Sequence, residues 1–431
     1  MAGRLRVLII AEAANPEWVS VPLVGWSMAT AMRDVSDVHI VTQIRNRDAF
    51  ERAGLVEGRH FTAIDSEPVA RLAWRVTTLL RGGAGKGWTT TTALASLTYS
   101  YFEHLVWDRF GDAIRAGQYD IVHRITPLSP TSPSPIAPKV RRAGVPFVLG
   151  PLNGGLPWPP GYDGARRKER EWLSYVRGAY RLLPGYRATL AAASVILAGS
   201  RHTAEELPPR CRAKTIFVPE NGIDPARFGG GPAPAAALDA PLGLCFIGRL
   251  VPYKGPDMAL MAALPLLRSG RATFDLIGDG PMMEELRALV AREEVGDAVR
   301  FHGWVPHDQV QTVARRNALF VFPSVREFGG GVVLEAMALG LLCVVVDYGG
   351  PGELVADGRG VALQLARRDT LVGTLRDTLR DLADDPGRAR AMARRGHDWA
   401  MARMTWAAKA HEIAAIYDWA RNPEGPKPAP Y

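Results

Sequence analysis

The sequence predicts an α/β protein with two doubly wound, Rossmann-like domains that face a central cleft. Three observations predict this class. The chain has 431 residues, which is more than one ordinary hydrophobic core accommodates. Its predicted strands are short and uniformly apolar, as is typical of parallel sheets that helices cover on both faces. These strands alternate with helix-length segments in two successive series.

The first series of strands occupies the N-terminal half of the chain. It begins with RVLIIA at 6–11, an apolar run that is too short for the core of a signal peptide. Further strands are predicted at 37–42, 119–125, 146–151 and 193–200. A strand that runs into turn residues is then predicted in KTIFVPENGIDPARF at 214–228. We expect residues 1–213 to form an N-terminal Rossmann-like domain.

The second series follows GGGPAPAAALDAP at 229–241, whose Gly, Pro and Ala content is typical of a linker. Its strands are predicted at 242–248, 273–280, 299–305, 318–324 and 342–350. We expect residues 214–404 to form a C-terminal domain. Residues 405–431 should supply a helix that packs back on the N-terminal domain, followed by a disordered end, PEGPKPAPY.

Charge and cysteine content narrow the choice of partner and compartment. The formal net charge of +8 favours an anionic partner but does not choose among nucleic acid, a phosphorylated substrate and an acidic membrane. High arginine usage without any such partner is the alternative interpretation. The three cysteines lack metal-ligand spacing, and no stretch approaches the roughly 18 apolar residues of a membrane span. We therefore expect a cytoplasmic protein.

The stretch FIGRLVPYKGPDMAL, 246–260, places Arg249 and Lys254 where a predicted strand ends and a helix begins. A phosphate ligand suits such a loop for three reasons. The arginine guanidinium can donate two hydrogen bonds to phosphate, the lysine supplies a positive charge, and the start of a helix offers free N–H groups. Two solvated surface cations are the simpler alternative.

A second stretch, PSVREFGGGVVLEAMALG at 323–340, combines glycines with two carboxylates. Its consecutive glycines are Gly329, Gly330 and Gly331. They let the backbone approach a ligand closely just before a predicted helix. Glu335 lies about one turn into that helix, where it can accept hydrogen bonds from sugar hydroxyls, and Glu327 lies on the loop. An ordinary helix-surface position is the alternative for Glu335, although an unpaired carboxylate in such apolar surroundings is costly.

Taken together, these motifs resemble those of the retaining family-4 glycosyltransferases of GT-B fold. The resemblance covers residues 215–420. Its positions are Gly248, Arg249, Lys254 and Gly255, then Pro323, Ser324 and Glu327, then Glu335-Ala336-Met337-Ala338, and finally Gly349, Gly350 and Glu353. The segments VPENGIDPARF and IGDGP resemble two further turns of that family. One departure is Glu-Phe-Gly-Gly at 327–330, where the family often has Glu-Gly-Phe-Gly.

The resemblance implies a nucleotide-sugar donor and assigns roles to residues around it. Arg249 and Lys254 would hold the donor diphosphate, with the glycines 329–331 bringing main-chain N–H groups to the phosphates. Glu335 would hold the ribose, and Glu327 would contact the transferred sugar.

The N-terminal half resembles one branch of the family at fewer positions. Gly25, in the sequence V-G-W, would approach the donor phosphates. His123, at the end of a predicted strand, would face the transferred sugar as a catalytic-site residue. A core histidine whose hydrogen bonds are satisfied is the alternative for this position.

The resemblance also implies the reaction. We expect a retaining hexosyltransferase that acts on an acceptor hydroxyl in glycan, glycolipid or exopolysaccharide synthesis. No Asp-x-Asp occurs, and cations with helix ends offer charge neutralisation, so we expect neither a required metal nor another cofactor. A non-catalytic nucleotide-sugar-binding protein and a GT-B epimerase or phosphorylase remain alternatives. A dehydrogenase is disfavoured because no G-x-G-x-x-G follows the first strand.

The expected acceptor is a sugar or a lipid-linked molecule, and the resemblance implies that the N-terminal domain, 1–213, is the acceptor side. We expect no nucleic-acid partner. Segments 71–88 and 165–183 mix Arg and Lys with Trp, Tyr and Leu. They are either docking sites for an anionic membrane or, more simply, amphipathic helices that pack on the sheet.

Overall fold

The computed structural model describes residues 3–68, 88–162, 185–228 and 241–431. By its internal contacts the chain divides into two compact units. Unit 1 comprises the described parts of Met1–Gly155, Leu173–Glu220 and Trp406–Tyr431, and unit 2 comprises those of Leu156–Trp172 and Asn221–Thr405. The domain boundaries expected from the sequence stay predictions. The basic segments 71–88 and 165–183 and the linker-like 229–241 lie outside the described residues, apart from residues 88 and 241.

Unit 1 is built on a seven-stranded parallel sheet. Its strands are β1 Arg6–Ala11, β2 Asp37–Gln43, β3 Phe61–Ile64, β4 Ile121–Thr126, β5 Phe147–Leu152, β6 Val195–Ala198 and β7 Thr215–Phe217. Its described α-helices are Val21–Val35, Arg47–Arg52, Trp88–Arg115, Ala137–Arg142, Tyr186–Ala192, Arg201–Glu206 and Trp406–Arg421, and a 3-10 helix covers Pro209–Lys214. The strand order is β3-β2-β1-β4-β5-β6-β7, so the topological switch point lies between β1 and β4.

The first strand shows how the sequence specifies a sheet with two covered faces. Successive strand residues point to opposite sides, and both Leu8 and Ile9 are fully buried. Leu8 joins a core cluster with residues of the helix Trp88–Arg115, whereas Ile9 joins a cluster with residues of the helix Trp406–Arg421. An uninterrupted apolar run is therefore what this position in the sheet requires.

Unit 2 is built on a six-stranded parallel sheet. Its strands are β8 Leu242–Ile247, β9 Ala272–Ile277, β10 Val299–Gly303, β11 Leu319–Phe322, β12 Leu342–Asp347 and β13 Val361–Gln364. Its described helices of four residues or more are Pro225–Phe228, Pro256–Arg268, Met283–Arg292, His307–Ala314, Gly331–Ala338, Gly350–Val355, Arg368–Asp384 and Pro386–Arg403. The order β10-β9-β8-β11-β12-β13 places the switch point between β8 and β11.

These two sheets confirm the predicted fold class for each unit. Two strands, β3 and β13, were not predicted because both have four residues and expose part of their surface, which weakens the apolar pattern. Across the part of the chain that the structure describes, no helix is both long and apolar enough to cross a bilayer.

The terminal segment PEGPKPAPY, expected to be disordered, packs on unit 1. The Tyr431 ring lies 6.4 Å from the ring of Phe217, and Pro430 is buried. Lys427 Nζ donates a hydrogen bond of 3.1 Å to the carbonyl oxygen of Arg212. Aromatic and main-chain contacts thus hold a segment whose composition alone favours disorder.

A lysine is fully buried beneath this segment. Lys409 lies on the helix Trp406–Arg421, and its Nζ donates a hydrogen bond to the carbonyl oxygen of Pro219. The ammonium group lies 5.2 Å from the centre of the Tyr431 ring. Burial lowers the pKa of Lys409 from 10.5 to about 7, against a smaller opposing effect of Glu220.

This lysine should make the stability of unit 1 depend on pH. Between pH 7 and 10 the unfolded chain binds the proton that the folded chain releases, so the free energy of unfolding should rise by about 4 kcal/mol. The contribution is complete above the unfolded pKa and is lost as pH falls towards 7. Lys409→Met should therefore unfold with a higher free energy than the wild type, and this difference should be larger at pH 7 than at pH 10. Denaturant titrations of both proteins at the two pH values measure this difference, and a difference that does not change with pH would contradict the assignment.

Candidate functional site

Two loops of unit 2 meet at the switch point of its sheet, between β8 and β11. The crevice at such a point, beyond the carboxyl ends of the strands, is where doubly wound sheets bind ligands. The loop after β8 covers 248–255, and the loop after β11 covers 323–330. The carbonyl oxygen of Tyr253 joins them, because it accepts hydrogen bonds from Val325 N at 2.9 Å and from Ser324 Oγ at 3.3 Å.

The loop after β8 carries both predicted phosphate-binding cations. Arg249 is exposed just beyond the strand, and Lys254 ends the short 3-10 turn Pro252–Lys254. Gly255 then adopts a left-handed conformation with φ 68°, which favours glycine, and the helix Pro256–Arg268 begins. The sequence therefore places two cations and the free N–H groups of a helix start on one short loop.

Lys254 forms an ion pair with Glu327 from the other loop. Its Nζ lies 3.2 Å from Glu327 Oε2, and the two side chains are only 18% and 20% exposed. The Lys254 ammonium group also lies 5.4 Å from the centre of the Phe322 ring. The residues expected to contact the diphosphate and the sugar are thus neighbours within one unit. A phosphate bound here would compete with Glu327 for the lysine.

The loop after β11 is fixed to the loop after β12 by main-chain pairing. Glu327 forms a parallel bridge with Gly349. Gly329 and Gly330 are buried, and Gly330 has φ 61° at the cap of the helix Gly331–Ala338. The predicted glycine run therefore ends in a helix start whose first N–H groups lack acceptors within the helix.

The helix Gly331–Ala338 positions Glu335, which is partly exposed one turn after the glycines. A Cβ added at Gly331 would lie 3.2 Å from Asn221 Cγ, so the glycine lets the helix start lie against that amide. No role was predicted for Asn221, which lies within VPENGIDPARF. Its amide is a further polar group beside this helix start.

The ends of β8 and β9 pack backbone against backbone next to Arg249. Gly278 has φ 142°, and a Cβ added there would lie 2.0 Å from the carbonyl oxygen of Gly248. Gly248 N donates to Ile277 O at 2.9 Å. Only glycine at 278 permits this approach, so it holds the loop that carries the cations.

His123 lies in unit 1 on β4, and its ring is fully buried. Its Nε2 lies 2.7 Å from the carbonyl oxygen of Gly150 and therefore carries a proton, while Nδ1 lies 2.6 Å from the Tyr417 hydroxyl, which donates to it. Burial lowers the pKa of His123 to about 4. Both nitrogens are occupied, which matches the core-histidine alternative. A role at the transferred sugar stays a prediction.

Gly25 also belongs to unit 1, within the helix Val21–Val35. A Cβ added there would lie 2.2 Å from the carbonyl oxygen of Ala13, so the glycine lets this helix pack on the loop after β1. Its approach to donor phosphates stays a prediction. The structure thus places Lys254 beside Glu327 in unit 2, with Arg249 on the loop of Lys254 and Glu335 on the helix after the glycines. Gly25 and His123 have packing roles in unit 1.

The described residues contain no group of three or more His, Cys, Asp or Glu side chains that could hold a metal ion. The expected independence of metals and cofactors stays a prediction.

Comparison with known families matches residues 241–385 to the model described as "Glycosyl transferases group 1". This range includes both loops at the β8–β11 switch point and the helix that carries Glu335.

Two curated relatives extend the match beyond that range. The chain is 31% identical over 195 residues to 2-deoxystreptamine glucosyltransferase of Streptomyces kanamyceticus, covering 43% of this chain and 50% of the relative. It thus spans half the length of that relative. It is 30% identical over 288 residues to the GDP-mannose-dependent alpha-(1-6)-phosphatidylinositol monomannoside mannosyltransferase of Mycolicibacterium smegmatis, covering 60% of this chain and 72% of the relative.

A solved structure shares the fold over nearly the whole chain. The crystal structure of Anabaena HepE in complex with UDP and glucose superposes with a TM-score of 0.57 at 16% identity, covering 96% of this chain and 99% of that one. At that identity the likeness concerns the fold alone, and it confirms the predicted GT-B class. The family match and the mannosyltransferase alignment show that the chain belongs to the group 1 glycosyltransferases.

Proposed function

We propose that the protein transfers a hexose from a nucleoside-diphosphate sugar to an acceptor hydroxyl, with retention of anomeric configuration. One observation carries the proposal. Lys254 and Glu327, from loops on either side of the β8–β11 switch point, lie 3.2 Å apart beside two glycine-capped helix starts. Cationic and anionic groups of this kind suit the two halves of a nucleotide sugar, its diphosphate and its hydroxyl-bearing rings.

The proposed roles follow from chemistry at these positions. Arg249 and Lys254 neutralise the departing diphosphate, assisted by N–H groups at the starts of the helices Pro256–Arg268 and Gly331–Ala338. Glu335 accepts hydrogen bonds from the ribose. Glu327 accepts hydrogen bonds from the transferred sugar.

The proposed reaction requires no protein nucleophile. The bond between the anomeric carbon and the phosphate oxygen breaks, and the acceptor oxygen forms a bond to the same face of that carbon. The proton of the acceptor hydroxyl passes to the departing phosphate oxygen. The protein then contributes by orienting both reactants and by stabilising the charge that develops on the diphosphate.

The relatives support a nucleotide-sugar donor without selecting its base. One is named for GDP-mannose, and the structural neighbour was solved with UDP and glucose. The acceptor is proposed to be a sugar or a lipid-linked molecule, in keeping with the range of acceptors in the relatives' names. A cytoplasmic location and contact with an anionic membrane stay predictions, and vesicle co-sedimentation tests the second.

A thermal-shift panel of nucleoside-diphosphate hexoses tests the proposal. A donor at about 100 times its Kd stabilises the folded protein by about 2.7 kcal/mol, which should raise Tm by several degrees. The donor that stabilises most is then incubated with the protein alone, and slow hydrolysis of an α-linked donor should release the α-anomer first. Binding without turnover, with any acceptor sugar or without one, would favour the non-catalytic alternative instead. If no donor stabilises the protein, both the transferase proposal and the non-catalytic binding alternative are contradicted.

A further inference from the structure

Residues 156–162, LPWPPGY, form a segment of unit 2 that we call the strap. It is distant in sequence from the rest of the described unit, whose next residues begin at 221. Three prolines restrict its backbone, so that ordering the strap costs less conformational entropy than ordering a flexible loop. The strap contacts loops that follow four strands of the second sheet, β8, β11, β12 and β13.

Hydrogen bonds to main-chain carbonyl oxygens attach the strap to the loops after β12 and β13. The Tyr348 hydroxyl, after β12, donates a hydrogen bond of 2.9 Å to the carbonyl oxygen of Pro157. The Tyr162 hydroxyl donates a hydrogen bond of 2.9 Å to the carbonyl oxygen of Ala366, after β13. Tyr348 and Tyr162 thus fix the strap on both sides of its tryptophan.

The centre of the strap contacts the two loops at the switch point. The ring of Trp158 lies edge-on to the ring of Tyr253, with centroids 6.2 Å apart. The guanidinium carbon of Arg326 lies 5.0 Å from the centre of the Trp158 ring and 5.8 Å from that of Phe328. Arg326 Nε also donates a hydrogen bond of 3.1 Å to the carbonyl oxygen of Leu156. The strap therefore fixes the orientation of this arginine by stacking and by a hydrogen bond.

These contacts surround Glu327 in the chain. Arg326 and Phe328 are its two neighbours in sequence, and Gly349 is its partner in the main-chain bridge. Leu156 packs so closely on that partner that a Cβ added at Gly349 would lie 2.4 Å from Leu156 Cδ1. The loops after β8, β11 and β12, which carry Lys254, Glu327 and Gly349, thus all touch the strap.

We propose that Trp158 is a positioning residue that presents Glu327 to the transferred sugar by way of Arg326. The inference rests on the proposed function and deepens it, because it assigns part of the sugar subsite to a segment outside the family match at 241–385. In the proposed function, nucleoside-diphosphate binding depends on Arg249, on Lys254 and on two helix starts, and none of these is among the strap contacts described above. Loss of Trp158 should therefore weaken recognition of the sugar and spare recognition of the nucleoside diphosphate.

Calorimetric titrations with UDP, UDP-glucose, GDP and GDP-mannose test this division. For Trp158→Ala, the Kd of the preferred nucleotide sugar should rise about tenfold, while the Kd of its nucleoside diphosphate should change less than about twofold. Trp158→Phe retains an aromatic face for Arg326 and should recover most of the loss. Because Trp158 acts through Arg326, the double variant Trp158→Ala/Arg326→Ala should bind no more weakly than Arg326→Ala alone.

A matched control is Trp399→Ala. Trp399 also stacks on an arginine of unit 2, since the Arg359 guanidinium carbon lies 4.2 Å from its ring centre. Arg359 precedes β13 and so lies at the amino end of that strand, whereas the strap contacts loops at the carboxyl ends. This variant should leave the ratio of the two Kd values unchanged. If Trp158→Ala lowers Tm but leaves that ratio at the wild-type value, the role is structural and the inference is overturned. If the wild type binds neither these four probes nor any other nucleoside-diphosphate hexose, the proposed function fails and the inference with it.

Discussion

Neutralising Arg249 and Lys254 together should weaken binding of a nucleoside-diphosphate hexose by about 10²–10³-fold. The variant Arg249→Gln/Lys254→Gln removes both charges but retains side-chain amides and most of the volume. In the wild type these cations lie on one loop at the switch point, and Lys254 is only 18% exposed, so little solvent screens it. Isothermal titration at a fixed ionic strength gives both dissociation constants.

A charge-matched control separates this site from the general effect of charge. Arg376 and Arg388 are exposed on helices of unit 2, and Arg376→Gln/Arg388→Gln removes the same net charge of two. Its Kd should remain within about twofold of the wild-type value at moderate salt, because surface charges far from a ligand are screened. Equal losses in the two double variants would show that net charge, and not the loop after β8, determines affinity.

Gly278→Ala should destabilise unit 2 by about 4 kcal/mol and weaken donor binding as well. The added Cβ would lie 2.0 Å from the carbonyl oxygen of Gly248, and the residue has φ 142°. Main-chain atoms cannot yield as a flexible side chain can, so the ends of β8 and β9 must separate. This separation moves the loop that carries Arg249. Denaturant titration measures the stability, and titration with a nucleoside diphosphate measures the binding.

Gly270→Ala provides the control for backbone strain alone. Gly270 also belongs to unit 2 and has φ 67°, but no atom lies within 4 Å of an added Cβ. Its substitution should cost only about 1–2 kcal/mol, which is the strain of a left-handed alanine. If the two variants lose the same stability, close packing of the strand ends does not contribute and the explanation for Gly278 is wrong.

The sequence predicted the grouping of the cations and Glu327 because their positions depend on local features. Each follows a buried apolar strand, and the carboxyl ends of neighbouring parallel strands lie at one edge of a sheet. The glycines 329–331 likewise predicted a close approach of the backbone to a ligand, which stays a prediction. The structure gives Gly330 a φ of 61° and buries Gly329.

Other features depend on packing that no local pattern contains. His123 has the same neighbours in sequence whether its ring faces a ligand or accepts a hydrogen bond from Tyr417, which is 294 positions away. The contacts of the strap could not be predicted for the same reason. The pattern LPWPPGY indicates only a proline-rich loop, whereas its contacts with Arg326 join residues more than 160 positions apart. The edge strands β3 and β13 were missed because each is short and only partly buried.

The roles proposed for Arg249, Lys254 and Glu327 all require a nucleoside-diphosphate sugar to bind at the carboxyl ends of β8 and β11. Hydrogen exchange with and without a saturating donor measures this binding directly. We expect slower exchange of main-chain amides in peptides that cover 249–259 and 328–335, where two helices begin. Unchanged exchange in both peptides, together with protection elsewhere in the chain, would contradict it.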